Sequence, residues 1–85
     1  EELELGRDFN LELSNLPSTI KKIIFVPYSK YNKELNCLPN GLQILELPEH
    51  YNIPIQNIPH ALTKLKCSKN YKFINDFSDI QVETY

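Results

Sequence analysis

Eighty-five residues carry 41% hydrophobic, 11% aromatic and 24% charged side chains, a globular balance far from the charge-rich, aromatic-poor profile of disordered chains. One small domain fits that length and a multidomain enzyme does not. Nine Lys and Arg against eleven Asp and Glu give a net charge of -2, which leaves no basic surplus to displace counterions from nucleic acid. No apolar run nears the roughly 20 residues that span a bilayer, and the opening EELELGRDFN has neither the basic nor the apolar region of a signal peptide. The expectation is a soluble, intracellular chain. Its start at Glu1 without Met reads as processing or truncation.

The first predicted strand, 2–5, alternates Glu2 and Glu4 with Leu3 and Leu5. Phe9-Asn10, Leu13 and Leu16-Pro17 follow it. The same order then returns. Leu-Pro or Ile-Pro pairs end at Pro17, Pro39 and Pro59, and Phe9-Asn10, Tyr31-Asn32 and Tyr51-Asn52 each precede one of them at a fixed offset. Tyr71-Lys72 continues the series without Asn. Between proline and aromatic, apolar residues align in columns: Ile20, Leu42 and Leu62; then Ile23, Leu45 and Leu65; then Phe25, Leu47 and Cys67. Leu13, Leu35 and Ile55 follow the aromatic. A period of 20 to 22 residues with an L-x-x-L-x-L core is the signature of a leucine-rich-repeat-like unit, in which alternate residues of a short strand face inward.

The expected fold is therefore mainly β. It is a leucine-rich-repeat-like solenoid of about four repeats, with short parallel strands at 2–5, 21–25, 43–47 and 63–67 stacked about 4.8 Å apart. The units are a partial one at 1–15, then 16–37, 38–57 and 58–77. Prolines before the strands leave the ladder intact, and with prolines at 27, 39, 48, 54 and 59 the return side is expected to be extended or 3₁₀ rather than α-helical. Pro27 and Ser29 mark a two-residue excess between Phe25 and Tyr31 as loop. At the tail Asn75 and Ser78 replace expected apolar residues, while Ile80 and Val82 alternate as a half-buried strand does. Residues 78–85 are thus read as a closing strand or cap.

These residues resemble the FNIP-repeat family, a leucine-rich-repeat-like group of roughly 22-residue units found in amoebae and in the giant DNA viruses that infect them. The resemblance is carried by "LGRDFNLELSNLP" at 5–17, "LPNGLQILELPEHYNIPIQNIP" at 38–59, and the looser "LPSTIKKIIF" with "YNKELNCLP" at 16–25 and 31–39. The family's F-N-x-P core is complete only as Tyr51-Asn52-Ile53-Pro54, with Tyr for Phe. The resemblance implies a protein-interaction surface, such as the substrate-binding arm of an F-box adaptor, within a longer chain bearing further repeats. No F-box fits within these residues, so that role requires sequence outside them. The competing expectation is a structural component of a larger assembly, including a viral one. Both place the protein in the cytoplasm or in a virion assembled there.

If the inward columns hold, the outward strand positions form two rows: Glu2, Lys22, Ile44 and Lys64, then Glu4, Ile24, Glu46 and Lys66. This is the expected concave binding face, with Lys22, Ile24, Ile44, Glu46, Lys64 and Lys66 as its members and an exposed Ile24–Ile44 pair as the anchor for a protein partner. The bland alternative is that the two isoleucines are covered by neighbouring repeat material or are scattered surface aliphatics. Asn10, Asn32 and Asn52 are expected to form a buried structural column that hydrogen-bonds backbone between repeats. The aromatics of the same period are expected to form a core stack rather than a base-stacking platform.

No cofactor or metal is expected. Cys37 and Cys67 occupy different points of the repeat, which argues against a disulfide and for a reducing compartment. With His50 and His60 they lack the closely spaced ligand pairs of a structural zinc site. Cys37 with either histidine is the one nucleophile pairing that the composition offers, and nothing in the sequence brings them together. Neither Gly6 nor Gly41 belongs to a phosphate-binding loop. The chain is read as a binding module and not as an enzyme.

Overall fold

In a computed structural model that describes all 85 residues, each proline of the repeat opens a tight turn. The Ile20, Leu42 and Leu62 amides donate to the Pro17, Pro39 and Pro59 carbonyls at 3.2, 3.1 and 3.2 Å. Proline is the first residue of each turn, where only its carbonyl is used, and its missing N–H removes no ladder bond because the strand starts later. The strands are β1 (Glu2–Leu5), β2 (Lys22–Phe25), β3 (Ile44–Glu46) and β4 (Lys64–Cys67). They are one to two residues shorter than expected at three places. Lys21, Gln43 and Thr63 still donate to Glu1, Lys21 and Gln43 at 2.8 to 2.9 Å, so the ladder runs one residue ahead of each strand.

All pairings are parallel, in the order β1-β2-β3-β4-β5, with β5 at Gln81–Thr84. This is the β-solenoid expected from the period, with about four turns and almost no helix. Leu3, Ile23, Leu45, Leu65 and Val82 follow one another in register. Ile23, Leu45 and Leu65 are fully buried. Each of these strands is too short to bury an apolar face alone. Stacking joins the strand columns with the apolar columns of the turns and the return side in one cluster of 18 buried residues, against which Leu3 and Val82 pack.

A second column runs through the strand-exit side. Phe9, Tyr31, Tyr51 and Tyr71 stack with centroid separations of 5.9, 6.3 and 6.4 Å. Tight turns set them there, since Phe9, Tyr51 and Tyr71 donate their amides to Gly6, Pro48 and Ser68. The longer exit from β2 solves the same problem differently. Ser29 donates its amide to Val26 at 3.0 Å, and its hydroxyl oxygen, in a residue only 2% exposed, accepts the Tyr31 amide at 3.1 Å. The two extra residues are absorbed without leaving a buried donor unpaired.

The tail departs from the repeat in a specific way. Residues Ile74–Phe77 form one turn of 3₁₀ helix and Phe77 is buried at 1%. The Ile80 amide donates to the Phe77 carbonyl at 3.1 Å, so Phe77 stands where earlier turns place proline. Val82 follows Ile80 by two positions, against three from Leu62 to Leu65, yet Val82 pairs in register with Leu65. Ile80 and Val82 both pack on the core. Residues 81–84 of the 78–85 tail form a strand, and Phe77 is buried at the turn that leads into it.

Candidate functional site

The period of two along each strand sends Ile23, Leu45 and Leu65 to the core and their neighbours to the opposite face of the sheet. Register then assembles two rows. Glu2, Lys22, Ile44, Lys64 and Gln81 form one, and Glu4, Ile24, Glu46, Lys66 and Glu83 the other. Lys22, Ile24, Ile44, Glu46, Lys64 and Lys66 therefore lie side by side on three central strands. The sheet is single, and no second sheet covers this open face.

Ile24 and Ile44 correct the expectation of an exposed apolar pair. Both are half-buried. Neither is among the partly buried hydrophobics that pack on the core. The two sit diagonally, since Ile44 is opposite Lys22 and Ile24 is opposite Glu46. Diagonal neighbours across strands lie about 7–8 Å apart, within contact range of long aliphatics.

The charges of the face are largely matched. Lys64 Nζ meets Glu83 Oε1 at 2.8 Å, which raises the lysine's pKa and lowers that of the carboxylate through the hydrogen bond and then the charge. Lys22 Nζ is 3.9 Å from Glu2 Oε1. Lys66 Nζ lies 5.0 Å from the centroid of the Tyr85 ring, a cation–π contact.

Tyr85 was not singled out from the sequence. It continues the outward parity of Gln81 and Glu83, which is the signal that places it on this face. Its hydroxyl crosses β4 to donate to the Leu47 carbonyl at 2.7 Å. Burial, reinforced by Glu46, Cys67 and Glu49, pushes its pKa up to about 12. The terminal ring thus tethers the last turn to the end of β3 and occupies one corner of the open face.

The asparagine column lies elsewhere, on the strand-exit loops. Asn10 Oδ1 accepts the Asn32 amide and Asn52 Oδ1 accepts the Lys72 amide, both at 3.1 Å and both one turn ahead. No equivalent bond links the Asn32 side chain to the third turn. All three residues are exposed, so the column is a surface feature and not the buried ladder expected. A short loop with an outward-facing side chain lets the amide oxygen reach the next turn without entering the core.

Two shallow polar cavities flank the turns. One of about 250 Å³ is lined by Glu49, His50, Asn52, Ser68 and Asn70 against Tyr51 and Tyr71. The other, of about 370 Å³, is lined by Glu12, Ser14, Asn36 and Cys37 among others. His50 and Cys37 line different cavities. Cys67 is buried, and burial raises its thiol pKa. No three His, Cys, Asp or Glu side chains converge as a metal site, and no helix is long and apolar enough to cross a membrane. With this geometry in place, comparison with protein-family models, curated proteins and solved structures finds no match.

Proposed function

We propose that the chain is a protein-interaction repeat module of the FNIP type, and not an enzyme, whose binding surface is the open face of its sheet. One observation supports this most: in-register strands set the half-buried Ile24 and Ile44 diagonally next to each other among charged residues, on a face that no second sheet covers. Aliphatic anchors ringed by charge on a rigid ladder are what a protein partner can use, because the strands fix the side-chain spacing before binding. In the adaptor form of this reading, the partner is the substrate of a ubiquitin-ligase arm working in a reducing cytoplasm. The free thiols agree with that setting.

The test is recovery of partners on the immobilised chain, comparing wild type with Ile24→Glu and Ile44→Glu. Both variants should keep the far-ultraviolet circular dichroism of the parent, because neither side chain packs on the core. Loss of the same partners from both variants is the expected result. Equal recovery would remove the open face from consideration.

A second reading, an architectural element of an assembly, is favoured by the sheet's edges. The outer sides of β1 and β5 pair with no strand of this chain, and unpaired parallel edges accept further turns or subunits. In that case mutations at Glu2–Leu5 or Gln81–Thr84, rather than at the isoleucines, would break the association.

A further inference from the structure

Each of the three lysines on the open face has a partner, whereas two of its four glutamates have none. Lys22 sits by Glu2, Lys64 is bonded to Glu83, and Lys66 lies over the Tyr85 ring. Glu4 and Glu46 make no ion pair and no side-chain hydrogen bond. In the register they flank Ile24 from either side, Glu4 on β1 and Glu46 on β3. Strand spacing puts their Cα atoms about 10 Å apart across the isoleucine.

Glu4 is exposed and Glu46 half-buried, so Glu46 is the less screened of the two. The cations nearest to it, Lys64 and Lys66, are held by Glu83 and Tyr85. Lys66 stands opposite Glu46 in the register and Lys64 feels its charge, but neither lysine forms an ion pair with it.

We infer that Glu4, Ile24, Ile44 and Glu46 form the seat for one arginine side chain of an extended protein segment. This rests on the open-face reading and names the chemistry of its partner. The methylene stem of arginine lies along Ile24 and Ile44, and its planar guanidinium has donors enough to serve a carboxylate on each side. A lysine ammonium is a single, strongly hydrated point and satisfies the pair less well.

The probe is a fluorescein-labelled peptide, Thr-Val-Arg-Val-Thr, read by fluorescence anisotropy against the 85-residue chain. Parallel peptides carry citrulline, lysine or glutamate in place of arginine. Citrulline keeps the shape and removes the charge. The arginine peptide should bind most tightly, and Glu4→Gln with Glu46→Gln together should weaken it about three- to tenfold, as loss of charge-assisted contacts at a partly exposed site implies. The control Glu2→Gln, whose carboxylate is already engaged by Lys22, should change affinity less than the double variant does.

Arginine and citrulline peptides binding alike, the double variant binding like wild type, or no binding of the arginine peptide would each overturn the arginine seat. Failure of the two readings is separable. If Ile24→Glu abolishes capture of a protein partner while the glutamine variants retain it, the open face stands and only the arginine seat falls.

Discussion

The Tyr71 hydroxyl donates to the Ile53 carbonyl, one turn earlier, at 2.7 Å. Tyr51 does the same to Lys33 at 2.8 Å. Tyr31 breaks the series: its buried hydroxyl lies near enough to the Leu13 backbone to feel its polarity, but the two do not reach hydrogen-bond geometry. Tyr51→Phe and Tyr71→Phe should therefore each cost about 1 kcal/mol, the usual net value of such a bond. For a domain of this size that lowers Tm by about 4–8 °C. Tyr31→Phe should leave Tm unchanged or raise it, since it removes an unpaired polar atom from the interior. Equal losses in all three variants by thermal circular dichroism would contradict the pattern.

The same tyrosines set an alkaline limit. Burial raises the pKa of Tyr51 and Tyr71 well above the ordinary 10.0, and Tyr85 is raised to about 12. A pKa higher in the folded than in the unfolded chain means that the neutral form is favoured by folding. That contribution is complete below about pH 10 and is lost as pH climbs through the folded values. Urea midpoints should fall steeply above about pH 10, and the slope should flatten in Tyr51→Phe/Tyr71→Phe. A midpoint independent of pH in this range would rule out a buried tyrosine column.

How much of this could be read from the residues depends on whether period or bulk decides. Ile23, Leu45 and Leu65 recur at the same point of each turn, so their register follows from counting alone. The prolines mark the turns in the same way, recurring one period apart just ahead of each strand. Phe77 was not legible in its role. Nothing local tells that an aromatic will take the place of proline at a turn. The parity of Tyr85 acquires meaning only once Gln81–Thr84 is a strand. The asparagines are exposed, whereas periodicity reports their register and says nothing of which side of a loop a side chain takes.

The asparagine column makes a graded expectation. Asn10 and Asn52 each accept an amide from the next turn, and Asn32 does not. Asn10→Ala and Asn52→Ala should destabilise by about 0.5–1.5 kcal/mol, because a surface amide that loses its partner can turn to water. Asn32→Ala should cost less. Asn52→Asp keeps an acceptor oxygen and should recover most of the loss. Chemical denaturation of the four variants checks this order, and an Asn32→Ala loss as large as that of Asn52→Ala would refute it.

The two thiols should behave as different species. Cys37 is exposed, whereas Cys67 is buried beside the core and burial holds its thiol protonated to higher pH. Only the thiolate reacts quickly with disulfide reagents. In the folded chain one thiol should react promptly and the second only with added denaturant. Cys37→Ser should abolish the fast phase, and Cys67→Ser the slow one. Two fast thiols in native conditions would mean that the strand carrying Leu65 and Cys67 is open to solvent.

Adjacent residues on β3 offer the sharpest contrast between the two faces. Leu45 is fully buried between Ile23 and Leu65, while Ile44 projects to the open face beside Lys22 and Lys64. Leu45→Ala empties a site that neighbouring turns cannot collapse into, because their spacing is fixed by the hydrogen-bond ladder. Its cost should reach about 2–5 kcal/mol. Ile44→Ala removes a half-buried side chain that touches no core residue, and about 1 kcal/mol or less is expected from the smaller area returned to water. Binding should respond in the opposite sense. Ile44→Ala should weaken capture of a partner in a chain that melts nearly as wild type does, whereas Leu45→Ala should weaken it only as far as it unfolds the protein. Measuring both properties on both variants separates a surface that recognises from an interior that holds, and comparable stability losses at 44 and 45 would show that the strand does not alternate as described.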